Sequence, residues 1–493
     1  MSPKTLTRAL PGRTLGALTL DRLALGAVFV LAILMRFPGL ASKPGYDWDE
    51  PVYANIGASV ANGDGLHLKA DFGSQTVPYL YHPPFYFWLL GGWMRVFGTG
   101  IGPARFLAAT MSIAVLALLF SLMRRRWGNL ALIPLIVLAT DGWLVFSNRV
   151  SWIENTMLVF AAAAIVVYDL ALRSHRTRTY ALAGLLVGAT VIFKHVGIYV
   201  LMAVCITFVV VRRDVRGHLT LLAVALAVIA AYIAGMTLAF QDGTHNWFLD
   251  ASQVQIERLT GHKESRGSIS GLDQVVDAFI GPYIVFTMTL LLAGVSLLMV
   301  ARRSLILVRR RFATDAVPDP VLYGWAAAAA ITFAASGLKM AHYFMMVEIP
   351  LLLFLFSELM ALKGERGLTF KWANIGIAAM VVILTANLVT FDLRFASRSD
   401  NALGQVRDYA ASTLPADSLI LTEETIGAIV PQPYCKFYKT RLCASRAQYV
   451  ITYTSRTQAP PDDPRLKDLI ARSAPIKVFK GFKETITVYA TPN

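Results

Sequence analysis

Asp49 and Glu50 stand side by side in the run Tyr46-Asp47-Trp48-Asp49-Glu50-Pro51, just after the first long apolar stretch, with Pro44, Gly45 and Pro51 holding the loop and Trp48 and Tyr53 flanking it. A carboxylate at an apolar interface has its charged form disfavoured by desolvation, which raises its basicity unless a cation or metal offsets the effect. That suits a general base accepting the proton of a hydroxyl; a solvated acidic turn is the other reading of the same two residues. Arg149 and Glu154 fall between the third and fourth apolar stretches, where ionisable groups at membrane depth are functional suspects or else a structural ion pair closing the loop. Lys194 and His195, then Lys339, His342 and Tyr343, cap later apolar stretches at the same end. Cations converging beside carboxylates would seat a phosphate or pyrophosphate, lysine as a point charge and arginine as a bidentate fork, although each alone is a residue type that snorkels at an interface. His82, His342, Asp49 and Glu50 together form a candidate set for a divalent metal ion. No GxxxxGK[ST], HExxH or paired CxxC is present, so nucleotide-driven and zinc-protease chemistry find no support.

The elements that must position these residues are membrane-spanning helices. Hydrophobic residues make up 56% of the 493 and charged ones only 16%, against about 25% charged in an ordinary soluble domain. Stretches near the roughly 20 apolar residues that a spanning helix needs recur at 20–37, 103–123, 130–147, 152–172, 180–194, 196–211, 218–240, 278–301, 321–338, 342–361 and 372–391, about eleven spans in all. The fifth and sixth are short and are separated only by Lys194-His195, which fits a tilted pair or a helical hairpin. The net charge of +15 is concentrated at Arg124-Arg125-Arg126, Arg173/Arg176/Arg178, Arg212/Arg213/Arg216, Arg302/Arg303, Arg309-Arg310-Arg311 and Lys363/Arg366. Each cluster follows an even-numbered span, so a cytoplasmic amino terminus puts all of them on the cytoplasmic side. The basic balance therefore belongs to topology, and no aromatic-basic stacking face points to nucleic acid.

Two loops on the other side, 38–102 and 241–277, are too long to be simple connectors. The first holds a helix-like stretch from Val52 to Ala61 and an aromatic segment opened by His82-Pro83-Pro84, which is expected along the interface with Trp88 and Trp93 at headgroup depth. The division expected is a transmembrane domain over 1–394 and a soluble extracytoplasmic α/β domain over 395–493. In the latter, Ser418–Thr422, Gln448–Thr452 and Ile476–Tyr489 read as strands, and 401–413 and 464–472 as helices. Cys435 and Cys443 lie close together in this domain, where an oxidising compartment permits a disulfide; two free thiols are the alternative.

On these residues the chain resembles the GT-C glycosyltransferases, in the branch of the protein O-mannosyltransferases and lipid A aminoarabinose transferases (glycosyltransferase family 39). The pieces that carry the resemblance are Asp49-Glu50-Pro51-Val52-Tyr53-Ala54, His82-Pro83-Pro84-Phe85-Tyr86, Arg149 with Glu154, Phe193-Lys194 and His342-Tyr343, in order and on one face. The resemblance implies a multi-pass enzyme of the bacterial inner membrane that moves a sugar, with inversion, from a polyprenyl-phosphate donor to a glycan, lipid or protein acceptor on the extracytoplasmic side. It implies Asp49 as base or acceptor-orienting carboxylate, Glu50 and Glu154 supporting it, and Lys194, Lys339 and Arg149 holding the lipid phosphate, with His82, His342, Tyr343 and Tyr53 in the substrate site. Beyond a possible divalent metal ion it implies no cofactor. A transporter or flippase, or a noncatalytic relative that binds polyprenyl phosphate, are the rival classes; inverted repeats and charges near the midplane would mark the former.

Overall fold

The computed structural model describes residues 15–44, 49–69, 72, 78–243, 245–260, 287–313, 316–335, 343–366, 379, 382–389, 401–455, 460–481 and 484–492. Its helices run in the order α1 (Leu15–Arg36), α2 (Glu50–Asn62), α3 (Pro84–Phe97), α4 (Ile101–Trp127), α5 (Leu132–Thr140), α6 (Gly142–Asn148), α7 (Ile153–Ser174), α8 (Thr177–Phe193), α9 (Ile198–Val211), α10 (Val215–Ala239), α11 (Trp247–Thr260), α12 (Thr287–Arg309), α13 (Pro320–Ala335) and α14 (Phe344–Arg366). Among the described residues, five helical segments are long and apolar enough to cross a membrane, and three shorter apolar helices (Thr177–Phe193, His195–Val211, Pro320–Ala335) accompany them. The expected last span, 372–391, is described only at 379 and 382–389.

The expected span over 130–147 is corrected: it is two short helices with a break at Asp141. There the backbone turns extended (φ −55°, ψ 126°), and the Asp141 side chain caps α6 by accepting from the amides of Trp143 and Leu144 at 2.9 and 3.0 Å. An aspartate competes well for exposed amides at a helix start. The last carbonyls of α5 are not left bare in the apolar interior, because the fully buried Arg36 at the end of α1 donates to Ala139 O at 2.6 Å and to Leu138 O at 3.3 Å. The pair at 180–194 and 196–211 reverses at Lys194, after which α8 packs between α7 and α10 while α9 packs on α13.

Charged groups gather at two opposite ends of the bundle. At one, Arg126 pairs with Asp169 and Asp319, Arg124 lies 3.9 Å from Asp21, and Arg303 pairs with Glu358 at 2.7 Å. The arginines of α4 also sit in its last turn, where cations complement the helix dipole. The other end carries the first loop. Pro51 in the first turn and Gly63 in the left-handed region (φ 91°) delimit α2. It lies against α3 so closely that a Cβ on Gly91 would meet Val60 Cγ1 at 2.4 Å. Within α3, Trp88 is 44% exposed while Trp93 is partly buried and donates to Pro103 O at 3.1 Å.

From residue 401 the chain forms an α/β unit: α15 (Ala402–Thr413), α16 (Glu424–Ile429) and α17 (Pro464–Arg472) with strands β3 (Ile420–Thr422), β4 (Tyr434–Lys436), β5 (Tyr449–Ser455), β6 (Ala474–Lys480) and β7 (Glu484–Ala490), β1 and β2 being the two-residue strands Gln241–Asp242 and His245–Asn246 in the second loop. The five strands order β4-β3-β5-β7-β6, with β4, β3 and β5 parallel and β7 antiparallel to both neighbours. The stretch expected as one strand over Ile476–Tyr489 is a hairpin, and β4 was too short to read from its pattern. Cys435 and Cys443 are disulfide-bonded. The expected domain boundary at 394/395 lies outside the described residues.

This unit is clasped to the first loop. Lys69 Nζ donates to the carbonyls of Val430, Pro431 and Gln432 at 2.6, 3.3 and 2.8 Å, its own carbonyl accepts from the Tyr434 hydroxyl at 3.0 Å, and α16 packs on α2. Glu423, immediately before α16, is pushed by burial up to about 7 from an ordinary 4.5. A carboxyl raised in the folded state stabilises the fold below the unfolded value, and that contribution is lost as the pH rises through the folded value. Glu423→Gln is therefore expected to match the wild type near pH 4.5 and to exceed it by about 3 kcal/mol at pH 8, read as a gain in the melting temperature of this unit that grows as the pH rises from 4.5 to 7 and then levels off.

Candidate active site

Asp49 and Glu50 open α2, and the structure gives them different tasks. Glu50 is fully buried. Its Oε1 accepts from Arg105 Nε at 2.8 Å and from the Ser151 amide at 2.7 Å, and its Oε2 from Arg105 Nη2 at 2.5 Å. Arg105 also donates to Leu40 O and Pro44 O at 3.0 and 2.7 Å. Its fork thus binds the carboxylate bidentately and ties the preceding loop to α4. Glu50, expected to support Asp49, is bound here to the Arg105 guanidinium and the Ser151 amide, contacts that fix the start of α2 against α4. Arg105 was missed by sequence reading, although a lone arginine inside the expected span 103–123 was the available signal.

Arg149 also binds backbone. It is 1% exposed, and its guanidinium donates to Met35 O, Pro38 O and Lys43 O at 3.0, 2.6 and 3.1 Å. It holds the segment between α1 and Asp49 by carbonyls, and Glu154 takes Lys194 as its partner instead. Two buried guanidiniums thereby fix the chain that leads into Asp49. Asp49 itself is half-buried and its side chain does not cap α2.

Around Asp49 stand groups from four further elements. Tyr53, one turn along α2, is 2% exposed and hydrogen-bonds through its hydroxyl to His82 Nε2 at 3.0 Å. Burial first, and the Asp49 charge second, hold the Tyr53 hydroxyl well above its ordinary value, so it stays a neutral donor. Glu154 opens α7 and pairs with Lys194 at the end of α8, both buried. The Lys194 ammonium also lies 5.0 Å from the centre of the Tyr343 ring, a cation–π distance. Asp49 is within Coulombic reach of both the Tyr53 hydroxyl and the Lys194 ammonium. Beside Tyr343 a small, mostly apolar cleft is lined by Val196, Tyr199, Ala329, Thr332, Phe333, Met346 and Val347. An acid–base group, a buried cation and an apolar slot therefore adjoin.

The structure thus brings Asp49, Tyr53, His82, Glu154, Lys194 and Tyr343 together. Lys339 and His342 lie outside the described residues. Of the candidate metal set, His342 lies outside the described residues, Glu50 is bound to Arg105 and His82 Nε2 faces Tyr53; among the described residues no three histidine, cysteine or acidic groups converge on one point.

Residues 81–234 match the family described as dolichyl-phosphate-mannose-protein mannosyltransferase. The solved structure of ArnT from Cupriavidus metallidurans in the apo state aligns over 96% of this chain and 98% of its own, at 13% identity and a TM-score of 0.60. The chain has the GT-C glycosyltransferase fold. The ArnT structure bound to undecaprenyl phosphate shares this GT-C fold with 15% identity, the same coverage and a TM-score of 0.57. So does the oligosaccharyltransferase of Archaeoglobus fulgidus tethered with an acceptor peptide, at 13% identity, 96% of this chain, 74% of that one and a TM-score of 0.58. A comparison with curated proteins gives no match. The resemblance read from Asp49-Glu50, His82-Pro83-Pro84 and Lys194 is borne out at the level of the GT-C fold.

Proposed function

We propose that this chain is a membrane glycosyltransferase that moves a sugar from a polyprenyl-phosphate donor to an acceptor on the extracytoplasmic face, with inversion at the anomeric carbon. The observation that carries the proposal is the adjacency of Asp49 to the Lys194–Glu154 pair and the apolar cleft at Tyr343. Complexes of GT-C relatives with undecaprenyl phosphate and with dolichol phosphate supply the donor class. In this reading Asp49 takes the proton of the acceptor hydroxyl as its oxygen attacks the anomeric carbon from the side opposite the leaving group. The bond from that carbon to the phosphate oxygen breaks, and the departing phosphate needs charge stabilisation more than protonation. Lys194 has three donors and keeps one on Glu154, leaving others for phosphate oxygens, while the cleft beside Tyr343 receives the first isoprene units.

The arginine-rich end is cytoplasmic in this reading, the amino terminus with it, and about eleven spans carry the chain to an extracytoplasmic domain over 395–493. The home is a bacterial inner membrane. No metal centre is part of the proposal.

Purified protein in lipid nanodiscs, given a panel of polyprenyl-phosphate sugars, is expected to release polyprenyl phosphate from at least one, detected by mass spectrometry. Lys194→Met combined with Glu154→Gln removes the pair without stranding a buried charge. It is expected to weaken donor use by about ten- to a hundredfold, the worth of one hydrogen bond to a charged group. Binding of the lipid with no turnover of any sugar would replace this reading with that of a noncatalytic polyprenyl-phosphate binder.

A further inference from the structure

The disulfide between Cys435 and Cys443 closes a loop whose side chains take no part in the site above. The loop leaves β4 and ends in one helical turn at Thr440–Cys443. From Cys435 to Arg446 the chain carries Lys436, Lys439, Arg441 and Arg446 and no acidic residue. Phe437 and both cysteines are buried, whereas Tyr438 is 70% and Leu442 48% exposed. The ammonium groups of Lys436 and Lys439 lie 5.9 and 6.0 Å from the centre of the Tyr438 ring, and the Arg446 guanidinium lies 5.8 Å from that of Phe72. Phe72 belongs to the first loop and is itself exposed; its amide donates to Tyr434 O, just before Cys435, at 2.6 Å. Lys436 pairs with Glu424 at 2.7 Å, but among the described residues no acid pairs with Arg441 or Arg446. Two parts of the chain thus present one basic, aromatic and aliphatic patch.

The composition of the patch selects its occupant. A polyanionic glycan would satisfy the cations, yet it offers Leu442 no apolar phase. An anionic bilayer satisfies every member: phosphates meet lysine and arginine, the headgroup layer suits a tyrosine with its polar tip, and the edge of the acyl region takes a leucine. The fold keeps the bilayer within reach, because α16 packs on α2 and α2 on α3, whose exposed Trp88, Val96 and Phe97 mark it as the interfacial helix. We propose that the loop Cys435–Cys443, with Arg446 and Phe72, rests on the membrane leaflet at the Asp49 side and binds the headgroups of anionic phospholipids. The cross-link keeps Tyr438 and Leu442 turned outward on a short ring of chain. Contact at this point holds α16 at a fixed height above the bilayer, and with it α2 and Asp49.

Fluorescence of the full-length protein in nanodiscs tests this without any sugar donor, so the proposed function can fail while the lipid contact stands, and the reverse. In a Cys205→Ala background, Ser445→Cys supplies one exposed thiol for a fluorophore beside the loop, with the disulfide left intact. The quencher is a nitroxide carried on a lipid headgroup. Quenching is expected to be about twofold stronger, or more, in mixed phosphatidylglycerol and phosphatidylcholine than in phosphatidylcholine alone, and high salt is expected to erase the difference. Each cation beside an anionic surface shifts such an equilibrium by about fivefold, so Arg441→Gln with Arg446→Gln is expected to lower the ratio of docked to undocked protein by about 30-fold. Leu442→Ser is expected to weaken quenching in both lipid mixtures, since it removes apolar contact and no charge. Equal quenching in the two mixtures, or quenching unmoved by the double arginine variant, would overturn the proposal. A label indifferent to lipid composition but shifted by added heparin would also overturn it, and would assign the patch to an anionic glycan.

Discussion

Asp49→Asn is expected to yield a folded, membrane-embedded protein whose sugar transfer falls by about 10²- to 10⁴-fold, the contribution of a positioned proton acceptor. The structure makes this substitution unusually clean. The Asp49 side chain does not cap α2, so the helix does not depend on its charge; the Asp49 carbonyl accepts from the Tyr53 amide at 3.0 Å whatever the side chain is. Asparagine has the same size, and at a half-buried position the loss of charge costs little desolvation energy. The substitution removes the basicity of the reacting oxygen together with the charge that bears on Tyr53 and Lys194. The check pairs an initial rate of polyprenyl-phosphate release with a thermal melt. An unchanged rate would move the base to another residue, and a collapsed melt would show that Asp49 holds structure. A fall in rate that recovers with rising pH in a series of stronger acceptor nucleophiles would support proton abstraction in particular.

The second large effect concerns stability. Arg105→Ala leaves the buried Glu50 carboxylate without its guanidinium fork, and strips the carbonyls of Leu40 and Pro44 of that donor. Breaking one side of a buried pair costs about 3–5 kcal/mol, enough to prevent accumulation of many folded domains. Arg105→Lys is expected to be nearly as harmful, because a lysine cannot present a planar fork to both carboxylate oxygens and two carbonyls at once. Replacing both partners, Arg105→Met with Glu50→Gln, is expected to recover most of the stability, since no unpaired charge remains. It should not recover the rate, because the segment from Leu40 to Asp49 loses its anchor. Melting curves and transfer rates on the three variants separate these outcomes: a double variant with full activity would show that anchoring this segment is unnecessary.

Much of the architecture was readable from local pattern. Apolar run lengths located most of the helices, the stretch Val52 to Ala61 read as helical within α2, and the spacing of arginine clusters separated the two ends of the bundle. What escaped was decided by partners far apart in the chain. Glu50 looked like a second catalytic acid until Arg105, 55 positions away, was found on it. Arg149 sat five residues from Glu154 and invited a pairing, yet its hydrogen bonds go more than 100 positions back, to Met35, Pro38 and Lys43. The break at Asp141 was hidden because apolar residues continue on both sides of it. Hydropathy counts side chains, whereas the break is stabilised by an aspartate cap on one side and an arginine from α1 on the other. The grouping of Asp49, Glu154 and Lys194 was legible only because their order along antiparallel spans put them at one end.

The Lys69 clasp bears on any attempt to recombine this protein with its relatives. Three backbone oxygens just after α16 are chelated by one ammonium from the first loop, so neither half is interchangeable alone. A chimaera that imports a foreign carboxy-terminal portion without residues 66–72 would strand that ammonium and shift α2, and with it Asp49, through α16. The smallest portable unit is the pair.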